Sequence, residues 1–149
     1  MATKHGGNSS EKRVLDTYVK LRRAVNSLSG REDDVLRAAG LTESQFGVVE
    51  ALYHLGPLCQ RELASKILKS AGNLTTVVDN LQKRGLVERR RDGGDRRVVT
   101  VYLTSDGDDL VAKVFPRVVD VLVDAFSILA VREQEQLAAL CRRLGTAES

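Results

Sequence analysis

The chain has 149 residues, of which 42% are hydrophobic and 29% are charged, so it can bury a core as one compact domain or two small lobes. A formal net charge of +3 does not by itself indicate a nucleic-acid partner. No apolar run approaches the roughly 18 residues of a membrane span, and residues 1–10 lack the apolar segment of a signal peptide. The two cysteines, Cys59 and Cys141, fit neither a disulfide framework nor a metal site, and we predict a cytoplasmic protein.

The first segment predicts a polar tail followed by a long helix. Residues 1–10 are polar and rich in Gly and Ser, and we expect them to be disordered. Apolar residues then recur at alternating steps of four and three, a heptad-like spacing that suits packing against another long helix. Gly40 ends this segment. The stripe consists of Val14, Tyr18, Leu21, Val25 and Leu28.

Three shorter helices are predicted next. Thr42 and Gln45 form a capping box that begins the first of them. A short helix is expected over residues 60–68, and Ser70 is placed to cap another over residues 71–84. That last helix carries an apolar stripe at helical spacing. The stripe consists of Leu74, Val77, Val78 and Leu81.

A hairpin follows the helices. Beyond Gly85, which is placed to end the helix, the hydrophobic period changes and predicts strands over residues 86–91 and 98–103. Residues 92–95 form the turn between them. A basic hairpin after three helices is typical of a winged helix-turn-helix, which we assign to residues 41–103. The predicted fold class is therefore mainly α with a small β-hairpin wing (α+β).

The last third predicts two more helices. Thr104 is placed to cap a helix that runs to about Phe126 and is apolar over much of its circumference, so it must be buried on more than one side. Pro116 lies within it and is expected to kink it. A final helix is expected over residues 132–144.

The terminal segments predict a homodimer. Residues 11–40 and 104–149 carry more apolar surface than one small winged unit can cover, and exchange of these faces between two chains would bury it. Cys141 lies on an apolar helical face and is expected in the core. In such a dimer the two copies of the helix over residues 71–84, the recognition helix of a winged helix-turn-helix, would lie about 34–36 Å apart, one turn of DNA, and would read a pseudopalindrome.

The helix over residues 71–84 has the composition of a DNA-reading helix. With its apolar stripe buried, it presents short amide and hydroxyl groups, which can hydrogen-bond to base edges in the major groove. An ordinary solvated helix face is the competing interpretation. The residues predicted to face DNA are Ser70, Asn73, Thr75, Thr76, Asn80 and Lys83.

Positive charge is concentrated in the hairpin. Residues 83–97 contain seven Lys and Arg against three acids, a net +4, so the remainder of the chain sums to −1. Arg91, Arg96 and Arg97 flank the tight tip, where they can enter a minor groove or bracket phosphates. Asp95 is expected to restrain an arginine or to cap the turn. A merely solvated charge run would not explain the glycines at the tip or the regular strands beside it.

The stretch from Asp79 to Gly107 resembles the signature of MarR-family regulators. It contains Asp-x-Leu, then Gly-Leu-Val, an arginine-rich wing, Asp-Arg-Arg and Leu-Thr-x-x-Gly, and residues 41–57 resemble the family's preceding helix. The resemblance implies a dimer formed by the terminal helices, with a ligand cleft between the dimer lobe and each winged unit. Two features depart from the family. Cys59 stands where a Ser or Thr helix cap is usual, and Asn80 and Gln82 stand where charged residues are common.

The resemblance also suggests a signal. A family-like repressor would be released by a small aromatic or phenolic anion, although each aromatic side chain taken singly also fits plain core packing. Cys59 is an alternative, redox-sensing trigger, because a helix N-terminus stabilises a thiolate and favours its oxidation. The residues expected to line the ligand site are Tyr18, Phe46, Tyr53, His54 and Phe115.

Other classes of protein fit less well. The sequence has no phosphate-binding glycine loop after a strand and no nucleophile elbow, so we predict neither an enzyme nor a cofactor. His5, His54 and the two cysteines are too scattered for a metal site. The remaining rival is a winged helix that docks on a protein without DNA. A docking surface should expose apolar or aromatic anchors, whereas this wing shows Arg and Gly.

Overall fold

The computed structural model describes residues 4–67, 71–91, 94–95 and 97–146. Within that part of the chain six helices and three short strands occur in the order expected for a winged helix-turn-helix with flanking helices. They are α1 (Ser9–Ala38), α2 (Glu43–Leu55), β1 (Leu58–Cys59), α3 (Gln60–Ile67), α4 (Ala71–Lys83), β2 (Val87–Arg90), β3 (Thr100–Leu103), α5 (Ser105–Phe126) and α6 (Val131–Thr146).

The chain divides into two compact units. Met1–Arg31 and Val119–Ser149 form one, called here the terminal unit, and Glu32–Val118 forms the other, called here the central unit. The DNA-binding domain predicted over residues 41–103 is shorter than the central unit. Its boundaries stay a prediction. None of the helices in the described ranges combines enough length and apolar character to cross a membrane.

The core of the described chain lies entirely in the central unit. All seventeen buried hydrophobic residues fall between Leu36 and Val118, and they come from every helix and strand of that unit. The α4 stripe is confirmed for three of its four residues, since Leu74, Val78 and Leu81 are each fully buried, whereas Val77 is half-buried. These side chains fix α4 against the rest of the winged helix, because burial of one Leu or Val contributes about 1.5–3 kcal/mol.

Local sequence signals set the ends of the central helices as predicted. The Thr42 hydroxyl accepts a hydrogen bond from the Gln45 amide, and the Gln45 side chain accepts one from the Thr42 amide, which completes the capping box of α2. Gly85 ends α4 with a φ of 74°. There the Leu86 amide donates to the Leu81 carbonyl, the hydrogen bond of a Schellman motif, which requires a left-handed residue.

The sheet has one strand that the sequence did not predict. Its order is β1-β3-β2, all antiparallel. The hairpin strands are confirmed, with Val87 opposite Leu103 and Arg90 opposite Thr100, although both are shorter than predicted. The two residues of β1, Leu58 and Cys59, add to the far edge of β3. A two-residue strand has no detectable period, so only its distant partner defines it.

The junction between the hairpin and α5 is tightly packed. The Thr104 hydroxyl accepts from the Gly107 amide at 3.1 Å, as a helix cap does, and donates to the Gly85 carbonyl at 2.6 Å. A Cβ added at Gly107 would collide with the Leu86 carbonyl oxygen. Leu-Thr-x-x-Gly therefore joins the start of α5 to the turn that ends α4.

The terminal unit has no fully buried apolar side chain in its described residues, and many of its apolar side chains are exposed in the single chain. Val25 on α1 is 52% exposed, and no residue of α6 in the described range is buried. Two expectations were wrong here. Cys141 is exposed and not in the core, and α1 begins at Ser9, within the predicted tail, because the side chain of Asn8 caps the Glu11 amide. α5 continues through Pro116, and a kink at that residue stays a prediction.

Candidate nucleic-acid interface

The side of α4 away from the core carries the polar residues predicted from the sequence. Residues 73, 76, 80 and 83 follow one another at steps of three, four and three, and therefore lie on one helix face. All four are exposed, as is Thr75 beside them. This outward face consists of Asn73, Thr76, Asn80 and Lys83. The predicted cap, Ser70, lies outside the described residues.

A different face of α4 is occupied by one arginine of the hairpin. Arg89, on β2, pairs through Nη1 with Asp79 Oδ1 at 2.6 Å and donates from the same nitrogen to Gln82 Oε1 at 2.9 Å. Nη2 donates to the Thr75 carbonyl at 3.1 Å, and Nε donates to Gln60 Oε1, on α3, at 2.9 Å. In the sequence Arg89 is only one of the positive charges of the hairpin, and its contacts with α4 become visible only in the structure.

The tip of the hairpin exposes arginine. Arg97 is 94% exposed, and Arg91 is exposed where β2 has ended. Asp95 has the role expected of it, because its carboxylate accepts from the Arg97 amide at 2.9 Å and its carbonyl accepts from the Val98 amide. Arg96 lies outside the described residues. The described residues of the tip therefore present exposed guanidinium groups.

A cavity of about 570 Å³ lies between the hairpin and the start of α3. Arg61 and Arg97 line it from opposite elements, together with Cys59 and Asp95. Arg61 is exposed and places a further positive charge beside the hairpin, which the sequence alone does not indicate. The missing signal was β1, which brings the start of α3 beside β3.

Cys59 occupies the cap position of α3. Its thiol and its amide both hydrogen-bond to the Glu62 carboxylate, and these bonds lower the pKa of Glu62. Glu62 thus keeps the partner role of a capping box although no hydroxyl stands at the cap. Redox sensing by Cys59 stays a prediction.

The aromatic residues predicted to bind a ligand separate into groups. The His54 ring contacts Phe115 at a centroid distance of 4.7 Å and Tyr53 at 5.1 Å, both edge-to-face. Phe46 is only 6% exposed, so its ring packs in the core and offers little surface to a ligand. Tyr18 belongs to the terminal unit and is 53% exposed.

Two carboxyl groups are partly buried, Glu50 on α2 and Glu32 on α1. Burial raises the pKa of Glu50, and a nearby His54 opposes this shift. Burial also raises the pKa of Glu32, with a further contribution from the negative charges of Glu43, Glu50 and Asp33. Within the described ranges, no cluster of His, Cys, Asp and Glu has the geometry to hold a metal ion.

Comparison with known proteins decides the family. A model of the MarR family matches residues 41–99. The uncharacterized HTH-type transcriptional regulator YkoM of Bacillus subtilis (strain 168) is 32% identical over 133 residues, which cover 89% of this chain and 86% of YkoM. The chain belongs to the MarR family. MarR proteins are transcription regulators and not enzymes, which confirms the class predicted from the sequence.

Two further similarities extend over most of this MarR chain. The transcriptional repressor MprA of Escherichia coli (strain K12) is 30% identical, with 80% of this chain and 69% of MprA covered. The structure of BpsR from Bordetella bronchiseptica, whose DNA binding is regulated by 6-hydroxynicotinic acid, matches with a TM-score of 0.80 and 26% identity. It covers 87% of this chain and 98% of BpsR. The predicted winged-helix fold is confirmed.

Proposed function

We propose that this MarR-family chain is a homodimeric repressor that binds a pseudopalindromic operator in duplex DNA. The observation that carries the proposal is the pairing of two surfaces in the central unit. The outward face of α4 offers amide and hydroxyl groups for base edges, and the tip of the hairpin exposes Arg91 and Arg97 for phosphates or a minor groove. A protein-docking module would need apolar anchors on the same surfaces.

The direct test is the salt dependence of binding to a duplex selected from a random pool. Each phosphate contact contributes a slope of about −0.9 in log K against log salt concentration. Arg97→Ala is therefore expected to weaken binding to all duplexes alike and to reduce the slope by about one. Arg142→Ala, on α6, serves as the matched control and should leave the slope unchanged. Failure of the unmodified protein to bind any duplex at low salt would exclude the proposal and favour a docking module.

Dimerisation is supported by the surplus apolar surface of the terminal unit. Val14, Val25 and Val123 are each more than half exposed in the single chain. A cavity of about 250 Å³ in the same unit is lined mainly by apolar groups, including Leu28, Phe126 and Leu137. A two-fold partner would cover these surfaces and would supply the second recognition helix.

The signal we propose is a small aromatic anion. The support is the Tyr53–His54–Phe115 ring group, which presents polar and aromatic edges together, and the similarity to BpsR, which responds to an aromatic hydroxy acid. Such a ligand acts only through different affinities for the DNA-bound and free forms, and a coupling of about 1–3 kcal/mol is expected. Titration of salicylate and hydroxynicotinate against a fluorescent operator complex tests it. Retention of the complex up to the solubility limit would argue against this signal.

A further inference from the structure

We infer that Arg89 is a positioning residue that fixes the rotation of α4 about its own axis, and so decides which side chains α4 offers to DNA. The inference rests on the proposed DNA-binding function. It assigns a role to an arginine that lies in the basic hairpin and that, by composition alone, would be counted as another phosphate contact.

The contacts of Arg89 follow the geometry of one helix face. Its three partners on α4 are Thr75, Asp79 and Gln82, which are separated by steps of four and three and so lie in a row along the helix. The buried residues Leu74, Val78 and Leu81 lie one position earlier in each case. The outward face occupies the remaining arc. The circumference of α4 is thus divided among the core, Arg89 and the solvent.

The guanidinium group links three elements at once. Arg89 is carried by β2, its Nε donates to Gln60 on α3, and its two terminal nitrogens reach α4. Its planar fork has donors in fixed directions, which a lysine ammonium cannot reproduce. The side chain is only 22% exposed. A group held by four acceptors and mostly covered is poorly placed to leave them for a phosphate.

This arrangement also gives a role to Gln82, which departs from the charged residues common in the family. Its side-chain oxygen accepts from Arg89 at 2.9 Å, so it belongs to the face that Arg89 holds. Asn80 and Lys83, on either side of Gln82 in the sequence, lie on the outward face. Rotation of α4 about its axis changes which side chains face outward, and a rotation of about 100° would replace Lys83 by Gln82 there, because neighbouring positions are about 100° apart.

The test compares two duplexes, one selected by the unmodified protein and one scrambled, at several salt concentrations. Arg89→Lys keeps the charge and loses the fork. It is expected to lower the preference for the selected duplex about tenfold, with an unchanged salt slope. Arg89→Gln should do the same, again without a change of slope. Arg90 is the next residue of β2, and its guanidinium group packs over the Tyr102 ring. The same two substitutions at Arg90 are the matched controls and should leave the preference unchanged.

The opposite pattern overturns the inference. If Arg89 contacts a phosphate, Arg89→Lys retains the preference and Arg89→Gln reduces the slope by about one on both duplexes. Should the Arg89 variants fail to fold, Gln60→Met removes one acceptor on α3 and leaves all charges in place. It should lower the preference by a smaller factor, and an unchanged preference would overturn the inference equally. If the unmodified protein distinguishes no duplex, the proposed function itself has failed.

Discussion

At the scale of single residues, burial of Glu50 predicts a dependence of stability on pH. Partial burial raises the pKa of this carboxyl group in the folded chain, so the folded state favours the protonated form. The stabilising contribution is complete below the ordinary pKa of Glu and is lost as the pH rises through the higher pKa of the folded state. We expect Glu50→Gln to raise the melting temperature at about pH 7 and to leave it unchanged at about pH 4.

Calorimetry at the two pH values checks this expectation. Glu135→Gln, at an exposed position of α6, removes the same charge without the burial and should change neither melting temperature. Equal gains for both variants at neutral pH would attribute the effect to net charge and contradict the role of burial. The position of Glu50 could not be predicted from the sequence, because its surroundings depend on how α2 packs.

At the scale of elements, Gly107 determines how closely α5 approaches the end of α4. In a helix, alanine is more favourable than glycine by about 1 kcal/mol. Helix propensity alone therefore predicts that Gly107→Ala stabilises the protein. The added Cβ would instead collide with the Leu86 carbonyl oxygen and crowd Leu103. Since backbone cannot move aside cheaply, we expect a net loss of about 1–3 kcal/mol in the free energy of unfolding.

Denaturant unfolding measures this loss, and α1 provides its control. Gly30 lies within α1, and a Cβ added there would meet no neighbouring atom within 4 Å. Gly30→Ala should therefore stabilise the chain by about 0.5–1 kcal/mol. A gain at both positions would mean that α5 can shift away from Leu86, and the tight junction would then be unnecessary.

The elements that sequence could predict are those defined by neighbouring residues. Two such signals are the capping box of Thr42 and Gln45 and the left-handed Gly85. Each acts within one helical turn, so it can be recognised from the sequence alone. β1 and the contacts of Arg89 depend on residues far along the chain. The Nε of Arg89 bonds to Gln60, 29 positions away. No local hydrophobic period indicates such a pairing. The sequence shows only that Asp79 and Arg89 both belong to the stretch that resembles the MarR signature.

At the scale of the whole molecule, the buried core and the basic hairpin both belong to the central unit. Within the described ranges, the central unit holds every buried hydrophobic residue, and it also contains the basic hairpin. The terminal unit contributes helices whose apolar side chains are exposed or only half-buried in one chain. A single chain would therefore expose apolar surface to water, which is unfavourable in free energy. We therefore expect the chain to associate.

This imbalance predicts that one added charge on the terminal unit weakens the dimer. Val25 is 52% exposed on the α1 stripe, and Leu55, at the end of α2 in the central unit, is 56% exposed. Sedimentation should give twice the chain mass of 16.3 kDa for the unmodified protein and for Leu55→Glu. Val25→Glu should weaken the dimer at least about tenfold, because each copy would bury an unpaired carboxylate. Since both positions expose similar apolar area, an equal effect of the two variants would place the interface elsewhere. A monomer at every concentration would remove the dimer, and with it the two-fold operator.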